Sequence, residues 1–172
     1  CLQCHTQAAG ISLGIETLQL NHSTLDPANQ SNNFLDTLWQ LDYLNEPVPA
    51  ALTQQKLYAL DDSSASLQQK ARSYLHSNCA GCHRPGGPIA GIDLRLQTQL
   101  QATGICGEAP GYGDLGQPGA LLLTPGDAGL SVIALRMRDT GTSRMPPLGS
   151  DVVDEEAVAV IENWINSLSD CN

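Results

Sequence analysis

At 172 residues the chain is long enough for one large domain or two small ones. Lys and Arg number 8 against 18 Asp and Glu, a formal net charge of −10; that balance argues against nucleic acid or an anionic membrane as partner. It suits either salt-sensitive steering toward basic surfaces or simple solubility of a secreted domain. Aromatic residues are 4% of the chain, with one Phe and two Trp, thin material for a packed interior unless a flat apolar group completes it.

The chain opens on Cys1-Leu2-Gln3-Cys4-His5. C-x-x-C-H is the attachment signature of c-type haem, in which two thiols bond the porphyrin edge and the adjacent imidazole ligates iron. Because Cys1 already belongs to a motif and covalent haem attachment takes place outside the cytoplasm, the expectation is an upstream export signal, since removed. No apolar run approaches the length of a membrane span. Residues 6–20 read as a loop turning at Gly10 and Gly14, folded along a haem edge. Residues 31–44 place apolar side chains at 34, 35, 38, 41 and 44, which predicts a helix capped by Asn32 or Asn33 and stopped by Pro47 and Pro49. A short helix is expected over about 50–58. Asp61-Asp62-Ser63-Ser64 marks the boundary between an N-terminal haem-binding segment, 1–62, and a second domain, 63–172.

Residues 65–78 carry Leu67, Ala71, Tyr74 and Leu75 on one face, an amphipathic helix leading into a second motif, Cys79-Ala80-Gly81-Cys82-His83. Arg84-Pro85-Gly86-Gly87-Pro88 follows, an irregular turn in which a backbone carbonyl is expected to accept the other imidazole N–H of His83. From 91 to 126 the chain is rich in Gly and Pro, with 93–101 a short helix or an extended piece and 111–114 a turn. So long an irregular stretch needs something to fix it. Haem contact and a Cys106–Cys171 disulfide would both serve; two separate buried thiols are the alternative to the bond. Residues 129–138 read as a brief helix. Residues 151–168 form the strongest helical pattern, with Val153, Ala157, Val160, Ile161, Trp164, Ile165 and Leu168 in one stripe and acidic residues in the first turns. This last helix is expected to cross the one that precedes Cys79.

For the second haem, Cys79 and Cys82 are the thioether anchors, His83 the proximal ligand and Met145, 62 positions on in Arg144-Met145-Pro146-Pro147, the distal one. The other methionine, Met137, sits on an apolar stripe and reads as core packing. For the first haem, Cys1, Cys4 and His5 take the corresponding roles. Its distal position is open between His76, expected to face outward from its helix, His22, and a solvent-ligated iron. A zinc site would need further Cys or His at matching spacing.

Residues 65–172 resemble a class I cytochrome c: a helix into C-x-x-C-H, a Met-Pro loop and a closing helix with an inward aromatic. The longer pattern YLHSNCAGCHRPGG, TGICGEAPGYGDLG, TPGDAGLSVIALRMR, RMPPLG and ENWINSL, with CLQCHTQAAGISLG and TLQLN before it, resembles the di-haem c-type cytochrome domains of secreted bacterial multidomain proteins. The resemblance implies an all-α fold with long irregular loops, two covalent haems and electron transfer in the periplasm or outside the cell. It also implies redox protein partners, for which a quinoprotein dehydrogenase as donor or a copper monooxygenase as acceptor are the expected classes. A small di-haem peroxidase-like enzyme is the alternative, and a docking module with structural haem a third reading.

Overall fold

The structure, a computed structural model, describes residues 4–25 and 31–172. In chain order its elements are α1 (Thr17–Leu20), β1 (Ser23–Leu25), β2 (Ser31–Asn33), α2 (Phe34–Gln40), α3 (Leu67–Asn78), α4 (Val132–Arg138) and α5 (Glu155–Ser167), joined by long loops and single 3-10 turns. The expected all-α class is corrected: among the described residues 34% are helical and 4% are strand, so the fold is mixed and mostly loop. The two longest helices form where apolar periodicity and a capping side chain coincide. At α3 the Ser66 hydroxyl accepts the Gln69 N–H and the Gln69 side chain accepts the Ser66 N–H, closing a capping box. At α5 the Asp154 carboxylate accepts the Ala157 N–H, and Glu155 and Glu156 face the positive end of the helix dipole.

Elsewhere the helical spacing is overridden. The pattern over 31–44 yields only the seven residues of α2, because residues 31–33 pair instead with 23–25 as an antiparallel ladder, Ser23 opposite Asn33. Asn33 then caps α2 by accepting the Leu35 N–H at 2.9 Å. The helix expected over 50–58 shrinks to a 3-10 turn at Ala50–Leu52. The Gly- and Pro-rich stretch from 91 to 126 holds a 3-10 turn at Leu100–Ala102 and single ladder contacts of Cys106 with Leu123 and of Leu121 with Ser131. Gly104, at φ 72°, is required there: a Cβ would meet the Gly91 carbonyl oxygen at 1.9 Å.

The apolar core lies in the second part of the chain. Ala71 and Leu75 of α3 meet Ile161, Trp164 and Ile165 of α5, with Leu94, Leu100, Ile105 and Leu123 packed around them. The first part is held by polar contacts. Asn21, buried between α1 and β1, donates to the carbonyls of Thr53 at 2.8 Å and Gln55 at 2.7 Å, and its Oδ1 accepts from Asn33 at 2.7 Å. The proposed boundary at 61–64 is crossed by several bonds, including the Tyr58 N–H to the Ser73 hydroxyl at 2.9 Å. Among the described residues no helix is long and apolar enough to cross a membrane.

Cys106 and Cys171 form a disulfide across 65 positions, fastening the irregular stretch to the chain beyond α5. Replacing both with Ser should lower the unfolding free energy by about 2–4 kcal/mol, read as a reduced urea midpoint. Asp93 also steadies this stretch: it accepts from Arg95 Nε at 2.8 Å and Nη2 at 2.7 Å and from the Thr98 hydroxyl at 2.7 Å. The Arg95 bonds first, then Thr98, hold its carboxyl well below the usual range. A depressed folded value means that stability is present above the ordinary carboxylate pKa of about 4 and is lost as pH falls toward the folded value. Asp93→Asn should therefore flatten the acid side of the stability profile and leave its slope above neutrality unchanged.

Candidate functional site

The second C-x-x-C-H motif is delivered by the end of α3. Cys79 caps the helix, with its N–H donating to the Leu75 carbonyl at 3.0 Å. The Cys82 and His83 N–H groups both return to the Cys79 carbonyl, at 3.1 and 2.9 Å, so the motif winds tightly on the helix end. Gly87 presses on it from behind, where a Cβ would lie 2.3 Å from the Cys82 carbonyl oxygen. Leu94 donates its N–H to the His83 carbonyl at 2.9 Å and joins the motif to the following stretch.

Cys79, His83 and Met145 line one cavity of about 340 Å³, walled largely by aliphatic side chains such as Ile89, Ile92, Ile105, Leu122 and Ile133. Residues 66 positions apart along the chain thus share one apolar space. Burial lowers the His83 pKa and favours the neutral imidazole, the form that ligates metal. Its Nδ1 is buried and has no hydrogen-bond partner, so the carbonyl expected from the 84–88 turn is not in contact with it. Burial pushes the Cys79 thiol up to about 12. Burial, then a hydrogen bond with Cys4, pushes Cys82 up to about 11. Thiols held protonated in this way are poor thiolate nucleophiles, unlike the depressed-pKa pair of a disulfide oxidoreductase. Met137 of α4 also faces the cavity while packing on the core.

The loop that brings Met145 to the cavity is built on Asp139, which ends α4. Its Oδ1 accepts the Gly141 N–H at 2.9 Å and its Oδ2 the Ser143 N–H at 3.0 Å. Arg144 closes the turn from the far side, donating to the Thr140 and Gly141 carbonyls at 3.2 Å each and pairing with Asp151 at 3.1 Å.

The first motif lies beside the second. Cys1 falls outside the described residues. Cys4 is in hydrogen-bond contact with Cys82, and Arg84 Nη1 donates to the Ala8 carbonyl at 3.2 Å. His5 is exposed, and its Nδ1–H donates to the Ile11 carbonyl at 2.7 Å, leaving Nε2 free in the arrangement typical of a metal-ligating imidazole. Ile11 holds φ at 68°, a costly conformation for a β-branched residue.

His76 does not face outward. It is 4% exposed, its Nδ1 accepts the Leu96 N–H at 2.9 Å, and its Nε2–H donates to Glu16 at 2.6 Å. Both ring nitrogens are engaged, so offering Nε2 to iron requires that Glu16 and the proton leave together. His76 turns inward because the 95–98 turn docks on this face of α3, where Arg72, one helical turn earlier and also buried, donates from Nη2 to the carbonyls of Arg95 and Thr98 at 2.8 and 2.6 Å. Together the two side chains clamp the 95–98 turn to α3. His22 is exposed, stacked on Phe34 with ring centroids 5.3 Å apart, and donates to the Ser23 carbonyl at 3.1 Å. A second cavity of about 220 Å³ lies between residues 9–16 and α3, lined by Glu16, His76, Gly81 and Arg84.

Among the described residues no group of three or more His, Cys, Asp or Glu side chains is arranged to hold a bare metal ion. No protein-family model, curated protein or solved structure matches the chain. The residues that sequence reasoning missed are Glu16, Arg72, Asp139 and Arg136. Glu16 and Arg72 depend on partners far along the chain, and Arg136 joins Ser143 to the distant Tyr112; only Asp139, directly after a helical run and before Gly141, has its partners close by and carried a local signal. Nitrogen-detected NMR of the haem-free chain should find the His76 ring proton on Nε2, with Nδ1 accepting the Leu96 N–H. A proton on Nδ1 would mean that the Leu96 bond is absent.

Proposed function

We propose that the chain is a di-haem c-type electron-transfer module of the periplasm or extracellular space. The observation that carries this reading is the shared cavity: a thiol, a half-buried imidazole whose burial favours the neutral form and a thioether, from sequence positions 79, 83 and 145, meet in one apolar space. Cys79 and Cys82 would anchor one haem, with His83 and Met145 as the side chains that would hold its iron; Cys1, Cys4 and His5 would hold the other. When bound, each haem supplies a one-electron couple whose potential is set by axial ligands, burial and hydrogen bonds, and a thioether opposite an imidazole raises it. The chain's part is to exclude water with the aliphatic walls, keep His83 unprotonated and aim the thioether. The contact of Cys4 with Cys82 places the two attachment segments side by side, which suits passage of an electron between them. The Cys106–Cys171 bond suits an oxidising compartment. The net charge of −10 suits redox partners with basic docking faces; a quinoprotein dehydrogenase as donor and a copper monooxygenase as acceptor fit that role.

A peroxidase-like activity is favoured by one feature. His76 has both ring nitrogens engaged, so the haem held by His5 would take a ligand from it only if Glu16 were displaced, which leaves room for peroxide to compete.

Expression with a c-type haem-attachment system should give a mass increase of two haems, reduced to one by Cys79→Ala with Cys82→Ala. Met145→Ala should retain both haems but lose the far-red charge-transfer band of a methionine-ligated ferric iron. A folded, secreted chain that carries no covalent haem would sink the proposal. With peroxide and a reporter donor, simple reoxidation supports the carrier and sustained turnover the enzyme.

A further inference from the structure

We infer that Arg136 is a positioning residue that holds the Met145 thioether in the cavity, an inference that rests on the haem reading of that cavity. Arg136 stands on α4, half-buried, and lines the cavity together with Met145 and Tyr112. It grips the methionine loop twice. Its Nη1 donates to the Ser143 carbonyl at 2.9 Å, and its own carbonyl accepts the Met145 N–H at 3.0 Å. Its Nη2 reaches the other way and donates to the Tyr112 carbonyl at 3.1 Å. One guanidinium therefore ties the loop that bears the thioether to the 109–112 stretch on another part of the cavity wall.

The peptide of Ser143 is the fixed point of this arrangement. Its N–H is taken by Asp139 and its carbonyl by Arg136, so the backbone two residues before Met145 is held from both sides. A planar fork with separate donors can meet two carbonyls at once; a lysine ammonium on a flexible stem can satisfy one of them well, not both. Hydrogen bonds from a charged donor are worth more than neutral ones, and losing one here should shift the balance between seated and released thioether by about tenfold. The backbone bond from Met145 to Arg136 survives any substitution at 136, so a variant keeps the loop's path and loses the side-chain grip.

The test is competition at the iron in the ferric holoprotein. Free imidazole displaces a thioether, and the far-red band reports how much Met145 remains seated. Arg136→Gln should need about tenfold less imidazole than the parent to erase the band, and Arg136→Lys should fall between them, with both haems and the Cys106–Cys171 bond retained. Asp139→Asn, which loosens Ser143 from its other side, should also lower the requirement. If Arg136→Gln does not accumulate, Arg136→Lys decides. Variants that need as much imidazole as the parent overturn the role of Arg136. A parent that shows no far-red band overturns the Met145 assignment itself, a separately visible failure.

Discussion

The contact between α3 and α5 is the constraint on which the rest of the molecule depends. Ala71, Leu75, Ile161, Trp164 and Ile165 are all at most 1% exposed, and their burial offsets the chain entropy of ordering two amphipathic helices. With α3 seated in this way, its last turn can point Cys79 and the wound motif after it in only one direction. The polar face of the same helix does further work, because Arg72 and His76, four positions apart, each hold the 95–98 turn. One helix thus sets the core, the C-x-x-C-H motif and the wall behind it.

The cavity is the counterpart of the scarcity of aromatic side chains. A chain with one Phe and two Trp closes its core around Trp164 and leaves an aliphatic space beside His83 and Met145. That space is bordered by one face of α4 and otherwise mostly by loops, and loops hold their shape only where their polar groups are paired. Here the pairing comes from Asp93 with Arg95 and Thr98, from Asp139 with the peptides of Gly141 and Ser143, from Arg136, and from the disulfide. Aliphatic side chains make up most of the walls, and paired charged side chains keep the loops that carry them in place.

The N-terminal part is organised differently. It has little apolar burial of its own, with Leu35 its only well-buried large hydrophobic residue among those described, and it relies on Asn21 and on its fit against α3. Glu16 on His76, Ala8 on Arg84 and Cys4 beside Cys82 all belong to that fit. The two motifs, 78 positions apart at Cys4 and Cys82, are neighbours because the chain folds back on the end of α3.

Local chemistry was enough to read the two C-x-x-C-H motifs, the helices leading into Cys79 and toward the C-terminus, a helix cap at Asn32 or Asn33 and the pairing of the two leftover cysteines. Each of these depends on spacing or on residue type alone. The helical pattern over 31–44 was misleading because a β-ladder competed for its first residues, and an all-α expectation failed because periodicity marks where a helix can form, not how much chain lies between helices. The inward turn of His76 was beyond local reading: a helical wheel places it beside the apolar stripe, but whether it meets solvent or the Leu96 N–H depends on where the 95–98 turn is docked. Arg136 is the clearest case. In the sequence it is one basic residue in a short helix, and only the folded chain brings Ser143, Met145 and Tyr112 within reach of it, because hydrogen bonds over such separations exist only after the loops have been placed.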